Sequence, residues 1–136
     1  MAKNKKTNKY QPIAFGALPV DYINVTLGME LEVGNVVMSA NAQKHAANKH
    51  PEFSQCLAFV SAILASPLYL GDDLQNDGKI EIIGKPHLLG FAMLIAVEVR
   101  RDKKGHYNIS SVYSLPEDRI QNRKEKGYLK IAVNKK

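Results

Sequence analysis

"YNISSVYSLPEDRIQNRKEKGYL", residues 107–129, decides how this chain is read. It opens as a strand, with Tyr107, Ile109, Ser111 and Tyr113 alternating against Asn108, Ser110, Val112 and Ser114. Strict alternation puts Ser111 and Tyr113 on the side of Ile109. A hydroxyl and a phenol then stand where the core side of the strand should continue. The stretch next turns basic, with Arg119, Arg123, Lys124 and Lys126 in quick succession. Helices in such a domain pack on the side of Ile109. Ser111 and Tyr113 are therefore expected at the rim of a helix–sheet crevice, just ahead of positive charge.

Working outward, "KKGH" before this strand reads as a turn, and "LLGFAMLIAVEVRR" as a long, central, buried strand. "KIEII" is a short strand, and "YLKIAV" a last one. "PEDRIQNRKEKG" is a polar excursion with one helical turn. Further upstream, Ser39 suits an N-cap for an Ala-rich helix over 40–49. Pro51 disfavours helical geometry at His50 and so ends that helix. It also suits the first turn of the next one. There Phe53, Cys56, Leu57, Val60, Ile63 and Leu64 recur at spacings of three and four, an amphipathic helix. "VDYINVTLGMELEVGNVVMS" is β-branched, with Gly28 and Gly34 as punctuation, and reads as one or two short strands. The expected fold is α+β, with N-terminal helices on one face of a four- or five-stranded antiparallel sheet. Residues 1–10 read as a disordered basic tail, and 11–136 as a single domain.

Hydrophobic residues make up 45% of the chain and charged ones 24%, which suits one domain with its own core. No stretch has the length of a membrane span. Basic residues near the N-terminus lack the apolar run of a signal peptide behind them. With one cysteine in the chain, chemistry in a cytosol-like compartment is expected, whatever route brings the chain there. Cys56, the single cysteine, excludes an internal disulfide and a cysteine-built zinc site. Net charge is +6. Residues 98–136 hold 11 Lys and Arg against 5 Asp and Glu, whereas residues 1–97 balance at 8 against 8. A basic C-terminal portion favours polyanions such as RNA. Arg100, Arg119, Lys124, Lys126 and Lys130 there, together with Lys44 on the Ala-rich helix, are the candidate backbone contacts.

"KHAANKH" concentrates titratable groups. His45 and Lys49 are four apart and share a helical face. His45 and His50 are five apart, about 140° around the axis, and do not. The spacing is not that of a zincin, and no carboxylate cluster suggests a metal site; Asp72 and Asp73 read as loop residues. If His45 faces the crevice of Ser111 and Tyr113, one site holds imidazole, ammonium, hydroxyl and phenol, with guanidinium from Arg119 and Arg123. The plainer alternatives are a Ser111 hydroxyl bonded to a nearby carbonyl and a half-buried Tyr113 ring with its OH in water. The set suits RNA cleavage without a metal or other cofactor. The ribose 2′-OH is its own nucleophile, so the protein supplies a base, an acid and donors around the phosphorane.

The order of these pieces resembles the phage-associated barnase–EndoU–colicin–RelE-like nuclease domains, over about Val36 to Leu129. "VVMSANAQKHAANKHPEF" resembles that family's histidine-bearing helix. "ILASPLYLG" is similar to its Asn-Pro-Asp-Tyr-Ile segment, with Ser66 and Leu68 at the Asn and Asp positions. "YNISSVYSLPEDRIQNRKEKGYL" resembles its pattern of Val, Ser or Thr, Tyr, then a basic return to Gly-Leu. The resemblance implies an RNase toxin, several of which cut tRNA, held in check by an immunity or antitoxin protein. It implies action in the bacterial cytoplasm, reached by way of phage or secretion. It places the helix histidine at His45, with His50 close behind, the hydroxyl at Ser111, the phenol at Tyr113 and the basic residue at Arg123. Lys49 joins these as a phosphate ligand. The rival readings are an inactive RNA-binding module of the same fold and a phage structural or interaction protein.

Overall fold

A computed structural model describes residues 9–72 and 78–134. The tail reading thus lies outside the described residues except at Lys9 and Tyr10, and Asp73 lies outside them too. The order is β1 (Ile13–Ala17), α1 (Val20–Leu27), β2 (Asn35–Met38), α2 (Ala40–Lys49), α3 (Phe53–Leu57), α4 (Val60–Ala65), β3 (Tyr69–Gly71), β4 (Lys79–Gly84), β5 (Met93–Glu98), β6 (Tyr107–Ser114), α5 (Glu117–Glu125) and β7 (Leu129–Ile131). The class is α+β, as expected, but the sheet is not four- or five-stranded and antiparallel. It has seven strands in the order β1-β2-β6-β5-β4-β3-β7, and β2 pairs parallel with β6.

Besides β1, which the sequence reading did not contain, three elements differ from it. "VDYINVTL" is helix α1, not a strand. Its β-branched residues carry a helical spacing, with Val20 and Ile23 buried, and Gly28 closes it in the left-handed conformation at φ 67°. The amphipathic run from Phe53 is two short helices, broken at Ala58 and Phe59, although Phe53, Cys56, Val60, Ile63 and Leu64 are all buried as its pattern implied. The excursion after Pro116 is a nine-residue helix, α5, anchored by buried Ile120. Helix α2 matches its expected bounds. The Ser39 side chain accepts from the Ala42 N–H at 3.1 Å, and His50 is extended at φ −129° ahead of Pro51.

Two cores lie on opposite sides of the sheet. Residues of α1, α2, α3 and α4 share one cluster with Ile80, Ile82, Met93, Ile95, Val97, Tyr107, Ile109 and Val112. Their strand neighbours Ile83 and Leu94 belong to the second cluster, with Leu115, Ile120 and Leu129, and Tyr113 packs against it. Alternation along β4 and β5 explains the division. We call the second side the outer face. Gly84 lets α4 approach the first: a Cβ there would lie 2.5 Å from Ile63.

Candidate active site

A single irregularity places the site. On β6, Ser111 pairs with Ala96 but Ile109 pairs with Val97, so Ser110 is one residue more than β5 can match. This is a β-bulge, which inserts a residue and resets which side chains face which way. Ile109 and Val112 therefore both enter the first core, although they are three apart. Ser111 and Tyr113 turn to the outer face, the side of Ala96 and Leu94. This corrects the expectation that they share the side of Ile109 and line a helix–sheet crevice.

Pairing across the sheet then builds rows on the outer face. Glu81 pairs with Ala96, and Ala96 with Ser111. Beside that row run Ile83, Leu94 and Tyr113. The floor they make opens as a cleft of about 420 Å³ lined by Lys49, His50, Lys79, Glu81, Ala96, Ser110, Ser111, Tyr113 and Arg119. Gly71, next to Glu81 on β3, leaves room: a Cβ there would come within 2.9 Å of Leu129 and 3.6 Å of the Glu81 carboxylate.

His50 reaches this face because β2 covers β6 only at Tyr107 and Asn108. Past that point the junction of α2 and α3 takes over the strand's edge. Glu52 accepts from the Ser114 N–H at 2.9 Å and from its hydroxyl at 2.8 Å, doing for the edge what a further strand would do. Burial pushes the Glu52 carboxyl up, but the bonds from Ser114 and the nearby His50 outweigh it and hold it below its ordinary value. The break at Pro51 lays the His50 ring on Tyr113, with centroids 4.7 Å apart and planes 18° from parallel. Below the same junction, burial and then Glu52 raise the Cys56 thiol to about 11, so it stays protonated as a packing residue.

Because folding strengthens the acidity of Glu52, its contribution to stability is full above the ordinary glutamate value of 4.5 and fades as pH falls through the lower folded value. Urea midpoints should therefore drop as pH is taken below 4.5. Glu52→Gln should flatten that decline, and an unchanged slope would show that the clamp on Ser114 contributes nothing.

The expected site residues fall into two groups. Lys49, His50, Ser111, Tyr113 and Arg119 converge on the cleft. His45 does not: it is exposed on α2, whose inward side is Gln43 and Ala46, and His50 stands in its place. Arg123 is committed to an ion pair with Glu81 and is not part of the cleft lining. Arg100 lines a neighbouring hollow that shares Lys79. Lys124 lies over the Tyr69 ring, 5.1 Å from its centroid. Lys44, Lys126 and Lys130 are exposed outside the cleft lining.

The sequence reading missed Glu81 and Lys79. The signal was present in "KIEII", where Lys79 and Glu81 alternate with isoleucines in a strand expected to be buried. A carboxylate 6% exposed on the middle of a sheet is costly without partners, and Arg123 is one such partner. Among the described residues, no three His, Cys, Asp or Glu side chains gather to hold a metal ion. No helix among them is long and apolar enough to cross a membrane. The cleft thus offers an imidazole, a carboxylate, two hydroxyls, a phenol and three cations around one opening. Comparison with protein-family models, curated proteins and solved structures finds no match to the chain.

Proposed function

We propose that the chain is a toxin-type endoribonuclease that cleaves RNA by attack of a ribose 2′-OH on the adjacent phosphorus, leaving a 2′,3′-cyclic phosphate. One observation carries this reading: His50 and Glu81, an imidazole and a carboxylate, line one cleft with Lys49, Lys79 and Arg119. Glu81, paired with Arg123, takes the proton from the 2′-OH as the O–P bond forms. His50 in its imidazolium form gives a proton to the 5′-oxygen as its bond to phosphorus breaks. An acid and a base of this kind contribute about 10²–10⁴ each. Lys49, Lys79 and Arg119 neutralise the nonbridging oxygens, which gain charge in the phosphorane. The Ser111 hydroxyl donates to one of them, and Tyr113 fixes the imidazole plane. Both reacting groups belong to the chain, so the scheme calls on no metal ion. The family resemblance supports two finer parts of the reading, tRNA as substrate and a neutralising immunity or antitoxin protein as partner.

Digestion of total RNA in the presence of EDTA tests this. Fragments ending in a 2′,3′-cyclic phosphate are the expected product. Tight RNA binding with no cleavage selects the inactive binding module instead, and neither result selects an interaction protein.

A further inference from the structure

The outer face has a second hollow beside the cleft. Val36 and Met38 on β2 are in the first core, so Val37 between them faces outward. It pairs with Asn108 on β6, which stands outward between Tyr107 and Ile109 for the same reason. Both line a hollow of about 550 Å³ with Pro12 and with Lys103, Lys104 and His106 from the β5–β6 turn. Its walls are mainly apolar, and its titratable rim is basic apart from Asp102.

Asp102 is already engaged in building the turn. Its Oδ1 accepts from the backbone N–H of Lys104 at 2.9 Å and of His106 at 3.0 Å. Its Oδ2 accepts from Asn108 Nδ2 at 3.1 Å. The turn is thus braced before any ligand arrives, and two lysines and an imidazole are presented over an apolar floor. One N–H of the Asn108 amide goes to Asp102, and its Oδ1 offers a ligand an acceptor. Asn108 lies three residues before Ser111, about 10 Å along an extended strand and somewhat less across the bulge. That is the reach of a single nucleotide.

We propose that this hollow holds the base of the unpaired nucleotide next to the phosphate in the cleft. The base lies against Pro12 and Val37, with its amino group toward Asn108 Oδ1 and the His106 ring at its flank. Lys103 and Lys104 take the phosphate on its far side. A bare phosphate would leave the apolar floor unused, and an apolar ligand would leave the cations unused; a nucleotide uses both. The inference rests on the reading of the cleft as the phosphate site of an RNase, and it makes single-stranded RNA with a preferred neighbouring base the substrate.

The test uses the intact protein and short 2′-O-methyl oligonucleotides, which cannot be cleaved because the attacking hydroxyl is blocked. One set carries bases and the other is abasic at every position. The base-bearing set should bind at least about fivefold more tightly, the lower end for a stacked base. Val37→Phe, which fills the hollow, should bring that ratio close to one. His106→Ala sits on the exposed turn and keeps the backbone bond to Asp102, so it reduces the ratio even if the larger change disturbs folding. Equal affinity for the two sets in the unaltered protein overturns the proposal, as does a ratio unchanged in both variants. Base-dependent binding in a protein that cleaves nothing would sink the RNase reading and leave the hollow standing. Cleavage with the same neighbour preference in the unaltered protein and both variants would do the reverse.

Discussion

On the proposed RNase reading, His50→Ala should lower RNA cleavage by about 10²–10⁴, the range for removing a general acid, while His45→Ala should stay within a few-fold of the unaltered protein. The contrast is the informative part. Both histidines belong to "KHAANKH", and only His50 lines the cleft; His45 is exposed on α2. The loss should also depend on the leaving group. An RNA analogue whose 5′-oxygen leaves as a stable phenolate needs no proton, so His50→Ala should be far less impaired on it. If the loss is the same for both substrates, His50 acts on charge or position and not as the acid. In bacteria without a neutralising protein, the same substitution should relieve growth arrest and His45→Ala should not. A folded His50→Ala protein that cleaves RNA at the unaltered rate would remove the mechanism altogether.

The ease with which the wrong histidine is chosen from sequence has a physical cause. Helical spacing joins His45 to Lys49, and one face is the natural unit of a helix. Pro51 takes His50 off that helix into an extended conformation, where helical angles no longer say where its side chain goes. The break at Pro51 was legible; the direction after it was not, because it depends on Glu52 bonding the edge of β6 sixty-two residues away. Arg119, expected near Ser111 and Tyr113, lines the cleft with them. Arg123, one turn further along α5, is turned onto Glu81, a partner visible only once β4 and α5 are brought together.

The fold was legible where local pattern and tertiary packing agree. Ser39, the Ala-rich run and Pro51 delimit α2 within a residue, and the alternating strands β4, β5 and β6 pair antiparallel as read. It was illegible where pairing is non-local. β1 has only two inward residues, both half-buried, and such a short edge carries too few alternations to stand out, whereas the opposite edge, β7, falls within "YLKIAV" as read. The bulge is the most consequential case. "ISSV" contains Ile109 and Val112 at a spacing of three, which no regular strand places on one face. Read as strict alternation, it keeps Ser111 and Tyr113 on the core side, at the rim of a crevice under the helices. One extra residue at Ser110 resolves the conflict: both polar groups turn to the outer face and line one cleft with His50, whose ring stacks on Tyr113.

Arg123→Ala should destabilise the fold by about 3 kcal/mol, the lower end for removing one member of a buried ion pair. The lower end applies because the Arg123 side chain is 22% exposed, so water reaches its position, while that of Glu81 is only 8% exposed. At about 1–3 kcal/mol per molar urea this moves the unfolding midpoint by about 1–3 M. The cost comes chiefly from the carboxylate left on the sheet without its guanidinium, so it should be recovered in large part by adding Glu81→Gln, which has the same shape and no charge. A double-mutant cycle reads this coupling directly. If the double variant is no more stable than Arg123→Ala, the loss comes from the packed stem of the arginine and the pair itself contributes little. Activity separates the two roles of Glu81: Glu81→Gln should leave a protein that folds and binds RNA yet cleaves it about 10²–10⁴ times more slowly. The recovery of stability in the double variant should bring no recovery of cleavage. That divergence would identify Glu81 as the base, because a carboxylate whose only task was to hold Arg123 would lose stability and activity together.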